Sequence, residues 1–342
     1  MVDILINSLG VIENKEIYSY ILKNSLIEVE LTNYGASVLS ISVPDKTGKI
    51  TDVVLGYKNL EDYIKSDKFL GATVGRCANR IEDGIAKIGD KAIQLSQNDG
   101  NNHIHGGFSG LNKKIWDFKQ IENGIEFSYL SPDGEEGYPG NLQIKVTYTL
   151  DNSALKTNYK AKSDKDTIFN PTNHTYFNLD GNGDILEQYL RINSDFYTEN
   201  DENSLPDGKI CSVKNTPMDF RDFKRIGADI ESEFEQIKFG KGFDNNWVVK
   251  DNDGKLRTAA QAYSPKNGIK MEVLTDLPGL QFYSGNYLDA EFESRNNIKI
   301  DKRCGFCLEC QYFPNAFKHD NFLKPILIAD EIFDKNIIYK FN

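Results

Sequence analysis

Residues 142–150 read LQIKVTYTL. Leu142, Ile144, Val146, Tyr148 and Leu150 alternate with Gln143, Lys145, Thr147 and Thr149. A period of two puts all five apolar side chains on one face of an extended strand, whereas a helix would spread them around its circumference. The stretch predicts a strand with one buried and one wet face, the habit of antiparallel sheet. The same texture runs outward in both directions: IEVEL (27–31), VLSISV (38–43), IWDFKQI (115–121), IEFSYL (125–130), KMEVLT (270–275) and LQFYS (280–284). Turn signals separate them, among them Pro44–Asp45, Asn123–Gly124, Asp133–Gly134 and Asn267–Gly268. Helix is scarce: NLEDYIKSDK (59–68) and the 225–237 stretch predict short pieces only. Strands do not alternate with helices, so a parallel α/β sheet is excluded and an antiparallel sandwich or barrel is expected. The 195–240 stretch reads as loop, covering an edge or a rim.

The 342 residues exceed the usual prior of about 100–200 per domain, a range that large β domains often overrun. No linker, composition shift or repeat divides the chain, so one domain over residues 1–342 is expected. Asp and Glu number 51 against 40 Lys and Arg, a net charge of −11. With no basic run, this argues against nucleic acid and anionic lipid as partners and for a neutral small molecule. The N-terminus lacks the basic start and apolar core of a signal peptide, and no run approaches the ~20 apolar residues of a membrane span. Five cysteines, an odd number, suit a reducing compartment, and the cytoplasm is the expected location. Three of them form CGFCLEC (Cys304, Cys307, Cys310), which lacks the second ligand pair of a structural zinc site and reads as small fillers on a buried strand.

Five polar stretches could carry chemistry. The first is NNHIHGG (101–107), holding two of the four histidines. On a strand His103 and His105 project to one face, as in some metal-binding barrels. No acid follows until Asp117, so a third ligand is lacking locally and no metal is expected. The second is NPTNHTYFNL (170–179), where His174 lies among hydrogen-bonding side chains rather than on an apolar face. Its imidazole can be tuned either way near neutrality. The third, GFCLECQYFPNAF (305–317), carries Glu309 on a strand that otherwise reads as buried. Such a carboxylate needs either an arginine partner or a purpose. The fourth, GATVGRCANRIEDG (71–84), offers Asn79 and Arg80; it matches no phosphate loop, and Arg80 could simply pair with Glu82 or Asp83. The fifth, KGFDNNWVV (241–249), places Asp244 before a strand, by itself a turn residue.

Taken in order, the stretches GRCANRI, HIHGGFSGLNKKIW, DGEEGYPGNL, NPTNHTYFNL, GFDNNWVV, LPGLQFYSGNYL and CLECQYFPNAF resemble the aldose 1-epimerase (galactose mutarotase) family over nearly the whole chain. The resemblance implies an all-β fold, a large antiparallel β-sandwich of the galactose mutarotase-like supersandwich type with few short helices. It implies a catalytic acid at His174 and a catalytic base at Glu309. Substrate contacts fall on Asn79, Arg80, His105, Tyr176, Asp244 and Gln281. His103 lies where the family needs no histidine and is expected behind the site or at the surface. Cys77 stands inside GRCANRI where a larger side chain is expected, and Lys318 follows NAF where the family tends to place Asn.

The implied reaction interconverts the α and β anomers of a free hexose such as D-galactose or D-glucose. It needs a base at O1 and an acid at O5, and no cofactor. An acidic neighbourhood is expected to keep His174 charged. Competing readings are a hexose-6-phosphate 1-epimerase, a non-catalytic carbohydrate-binding sandwich and an inverting glycosidase using Asp244 and Glu309. The expected partner is a monosaccharide, with the chain a monomer or homodimer.

Overall fold

The computed structural model describes residues 1–342. Nine antiparallel strands form the largest sheet, with Leu142–Asp151 and Ala154–Ser163 near its middle and the C-terminal Ile332–Phe341 beside them. Leu142–Asp151 alternates buried and wet residues along its length, as its period requires. A five-stranded sheet (Asp3 to Asp52) and a six-stranded sheet make the second layer. The bridge between Val54 and Phe177 links those two sheets. Tyr20 meets Phe127 at 5.3 Å and Phe177 meets Tyr339 at 4.9 Å, so both pack on the nine-stranded sheet. One apolar cluster of 56 buried residues, from Tyr20 to Phe341, fills the sandwich. Each fully buried large side chain there contributes about 1.5–3 kcal/mol.

The two α-helices are short, Leu60–Lys65 and Glu235–Gly240, and a 3₁₀ turn covers Ile226–Ala228. No helix is long and apolar enough to cross a membrane. The 195–240 stretch departs from its loop reading. Phe196–Asn200 and Pro206–Ser212 pair antiparallel and complete one edge of the six-stranded sheet. Their pattern was blurred because Pro206–Ser212 is an edge strand, mostly exposed.

The six-stranded sheet positions the site. In Phe306–Gln311 the residues Phe306, Leu308 and Cys310 enter the main core, while Cys307 packs with Tyr176 and Tyr283 on the opposite face. Glu309 and Gln311, at the same parity as Cys307, share that opposite face. Register then builds two rows across the strands. One runs Asp244, Tyr283, Cys307, Tyr176; the next runs Asn246, Gln281, Glu309.

Candidate active site

Asp244, Tyr283, Tyr176 and Glu309 of these rows line a cleft of about 450 Å³. Asn79, Arg80, His105, His174, Tyr176, Asp244 and Glu309 all line it. Gln281 does not: it is 3% exposed and lies behind Asp244, with its Nε2 donating to Asp244 Oδ1 at 2.8 Å.

His174 follows the short strand Thr172–Asn173. Its N–H donates to the Ala72 carbonyl, and its own carbonyl accepts from Gly71 N–H. The ring is thereby fixed, with Nδ1 3.5 Å from Cys307 Sγ and Nε2 3.8 Å from Glu309 Oε1. Glu309 is 2% exposed and His174 5%. No arginine pairs with Glu309; its one ionisable partner within ion-pair range is His174. Burial pushes the His174 pKa down to about 4, against the expectation that acidic neighbours keep it charged. Burial, with the Asp244 charge adding to it, pushes Glu309 well up. In the free cleft the proton they share therefore favours Glu309 over His174.

The HIH pair does not share a face. His103–Ile104 is a two-residue strand against Arg80–Ile81, and His105 has φ +50°, which breaks the alternation. His103 turns inward, fully buried, between the Tyr138 hydroxyl at 2.6 Å and the Ser96 carbonyl at 2.7 Å; it is no surface residue. His105 enters the cleft, where its Nδ1 accepts the Asn79 backbone N–H at 3.2 Å. Burial holds its pKa well below the ordinary value, so the neutral ring carries its proton on Nε2 and donates into the cleft. His105, His174 and Glu309 put ligand-type atoms within 4.8 Å of one another. A metal on His105 Nε2 would need a ring stripped of both protons while Nδ1 still accepts, so this donor set does not fit one.

Arg80 pairs with neither Glu82 nor Asp83. Its Nε donates to Asp99 Oδ2 at 2.8 Å, and its charge counters the burial that raises Asp244. Lys318 binds Glu82 at 2.9 Å outside the cleft. Of the motif aromatics, Phe108, Tyr176, Tyr283 and Tyr287 reach the cleft, whereas Phe177 and Phe282 are core. Sequence reasoning missed Phe69, which packs 4.8 Å from His105 and 5.7 Å from His174. Its φ of +57° is uncommon for an aromatic residue, and only the folded chain reveals it. Also missed was Glu136, whose carboxylate accepts from Phe108 N–H, Ser109 N–H and the Ser96 hydroxyl. It clamps the loop after His105. DGEEGYPGNL was the available signal.

Known proteins resemble this chain over most of its length. Residues 18–340 fit the family model described as aldose 1-epimerase. Galactose mutarotase from Bos taurus is 38% identical over 323 residues, 94% of this chain and 93% of its own length. Aldose 1-epimerase from Escherichia coli is 35% identical over 305 residues, 88% of each chain. The crystal structure of galactose 1-epimerase from Lactobacillus acidophilus superposes with a TM-score of 0.88 at 34% identity, covering 100% of this chain and 99% of that one. A cleft with an opposed imidazole and carboxyl thus sits in a chain that belongs, over nearly all its length, to the aldose 1-epimerase family.

Proposed function

We propose that the protein interconverts the α and β anomers of free aldoses, with D-galactose and D-glucose as substrates, Glu309 as base and His174 as acid. The observation that carries the assignment is the 3.8 Å approach of His174 Nε2 to Glu309 Oε1 inside a buried cleft. O1 and O5 of a pyranose hang from the same carbon, so one sugar edge spans this pair.

Glu309 takes the proton from the anomeric hydroxyl, O1 becomes the aldehyde oxygen, the C1–O5 electrons pass to O5, and His174 protonates it. The aldehyde turns about C1–C2. Then O5–H returns its proton to His174, O5 attacks the other face of C1, and Glu309 gives its proton to O1. The enzyme ends as it began. His105 Nε2–H and the Arg80 guanidinium, both lining the cleft, stabilise charge on the ring oxygen. Asn79, Tyr176 and Asp244 line the cleft as contacts for the remaining hydroxyls. Gln281 acts on the sugar through Asp244.

After ring opening the pair is neutral, with Glu309 protonated and His174 not. Burial favours that same distribution in the free cleft. The acid–base pair is thus buried so that its charged form is eager to pass protons to a bound sugar. One domain over residues 1–342 and a cytoplasmic location complete the proposal; all five cysteines are free, as a reducing compartment requires.

Polarimetry tests this. Freshly dissolved α-D-galactose or α-D-glucose should reach equilibrium rotation faster with enzyme than without. No acceleration ends the proposal, and a non-catalytic sugar-binding module would show none.

A further inference from the structure

The second carboxylate oxygen of Glu309, Oε2, finds no protein partner although it is buried. It is not alone. Gln281 Oε1 and both amide atoms of Asn246 and of Gln311 are buried without partners. These side chains are between 0% and 3% exposed, and sequence places them on adjacent strands. Asn246, Gln281 and Glu309 form one cross-strand row, with neighbouring Cβ atoms about 4.5–5.5 Å apart. Gln311 lies two residues beyond Glu309 on the same face.

Its cross-strand partner is Gly279, and the missing side chain is what joins the group. A Cβ on Gly279 would lie 2.3 Å from Asn246 Oδ1, 2.9 Å from Phe313 and 3.1 Å from the Gln311 carbonyl. Asn246 therefore leans over Gly279 towards Gln311, under the Phe313 ring. The polarity of the group is complementary. Gln281 gives its Nε2 to Asp244, so its free atom must be the acceptor Oε1. Glu309 Oε2 is a second acceptor. Gln311 Nε2 and Asn246 Nδ2 are two donors. Gln311 Oε1 and Asn246 Oδ1 are two further acceptors. One tetrahedrally bonded water satisfies Glu309 Oε2, Gln281 Oε1 and the two amide nitrogens, and buried waters typically sit among about three such groups.

We infer that Asn246, Gln281 and Gln311 hold a buried water against Glu309 Oε2, and that Gln311 is thereby a positioning residue that sets the proton affinity of the base. The inference rests on the reading of Glu309 as base. The water donates to Glu309 and Gln281 and accepts from Gln311 and Asn246. Hydrogen bonds to the ionised form favour it, so the water opposes the burial that raises Glu309. The other groups facing Glu309 are His105, His174, Asp244, Tyr176 and Cys307, with Arg80 acting through Asp244. None of them touches Oε2.

Gln311→Met keeps the shape and removes both amide atoms. Its kcat/KM should fall about tenfold, with KM little changed. The alkaline limb of the pH profile should rise by about one unit, because Glu309 holds its proton more tightly. Melting temperature should change little, since the lost bond from Gln311 Nε2 to the water is offset by removal of the buried, unpartnered Gln311 Oε1. An unmoved limb overturns the inference, whatever happens to stability. Should Gln311→Met fail to fold, a high-resolution crystal structure of the unliganded wild type decides. One ordered water within hydrogen-bond distance of Glu309 Oε2, Gln281 Oε1, Gln311 and Asn246 is expected; amides turned to pair with each other, with no density between them, overturn it. Glu309→Gln separates the two claims. Wild-type rates in that variant remove the base and the inference together; lost activity there with an unmoved limb in Gln311→Met removes the water site alone.

Discussion

A double-mutant cycle on His174 and Glu309 probes whether one proton relay runs through both. Glu309→Gln keeps shape and burial but cannot accept the O1 proton; His174→Asn cannot protonate O5. A single acid or base contributes about 10²–10⁴ in rate, or about 2.7–5.4 kcal/mol at 1.36 kcal/mol per decade. With Nε2 and Oε1 3.8 Å apart and both groups almost fully buried, the two transfers serve one C1–O5 cleavage. Losing either should stall the same step, so the double variant should be no slower than the worse single by more than about tenfold. The coupling energy should then approach one full single effect, at the upper end of or above the 0.5–3 kcal/mol that ordinary contacts show. The assay is polarimetric relaxation of α-D-galactose towards equilibrium, corrected for the spontaneous rate, with thermal melts confirming that each variant folds. Losses that multiply, decade upon decade, refute the relay and make the residues independent contributors to separate steps.

The pH profile carries its own sign. The working pair holds one proton. A second enters at His174, whose pKa burial takes down to about 4, and the first leaves from Glu309, whose pKa burial takes up. The acid limb of the kcat/KM profile should fall near pH 4, where His174 takes its proton; an acid limb near the free imidazole value of about 6.5 would contradict this. Glu136→Gln keeps one accepting oxygen for three donors, Phe108 N–H, Ser109 N–H and the Ser96 hydroxyl. The lost bonds should cost about 1–3 kcal/mol and raise KM several-fold through the loop beside His105, read by thermal melts and progress curves. Gly106→Ala puts a Cβ 1.7 Å from the Gly75 carbonyl oxygen at a φ of +91°. Backbone cannot yield as a side chain can, so the variant should lose about 3 kcal/mol or more and melt well below wild type; an unchanged melting temperature counts against the packing described.

The central strands were legible because they are half wet. Leu142–Asp151 has one face in the core and one in water, so its alternation reaches the sequence undiluted. Phe306–Gln311 is buried on both faces, and nothing in its letters says that Glu309 and Cys307 share a side with Asp244. Their meeting depends on register with strands remote in the chain, which only the pairing of Gly279–Tyr283 with both neighbours reveals. Family resemblance supplied the names of these residues without the geometry. Where the strand period put both histidines of HIH on one face, local conformation corrected it. His105 leaves the strand at a positive φ, so the HIH pair splits into one buried anchor and one cleft donor. Phe69 was invisible for the same reason: its position against both histidines follows from a backbone angle no propensity scale assigns to an aromatic residue.

The protonation pattern connects the fold to the proposed chemistry. An imidazole and a carboxyl 3.8 Å apart at a wet surface would stay charged and would gain little by exchanging protons with a neutral sugar. Inside the sheet, where both are more than nine-tenths buried, the charged form is the costly one. A closed sugar offers O1–H to the carboxylate and O5 to the imidazolium, and accepting the offer discharges both. The open aldehyde then faces a neutral pair, which must recharge to close the ring. Too much burial would trap the aldehyde, and too little would leave the ring closed. The water inferred at Glu309 Oε2 and the Gln281 link to Asp244 would let neighbouring strands hold the two states near balance, as an enzyme that returns unchanged from either anomer requires.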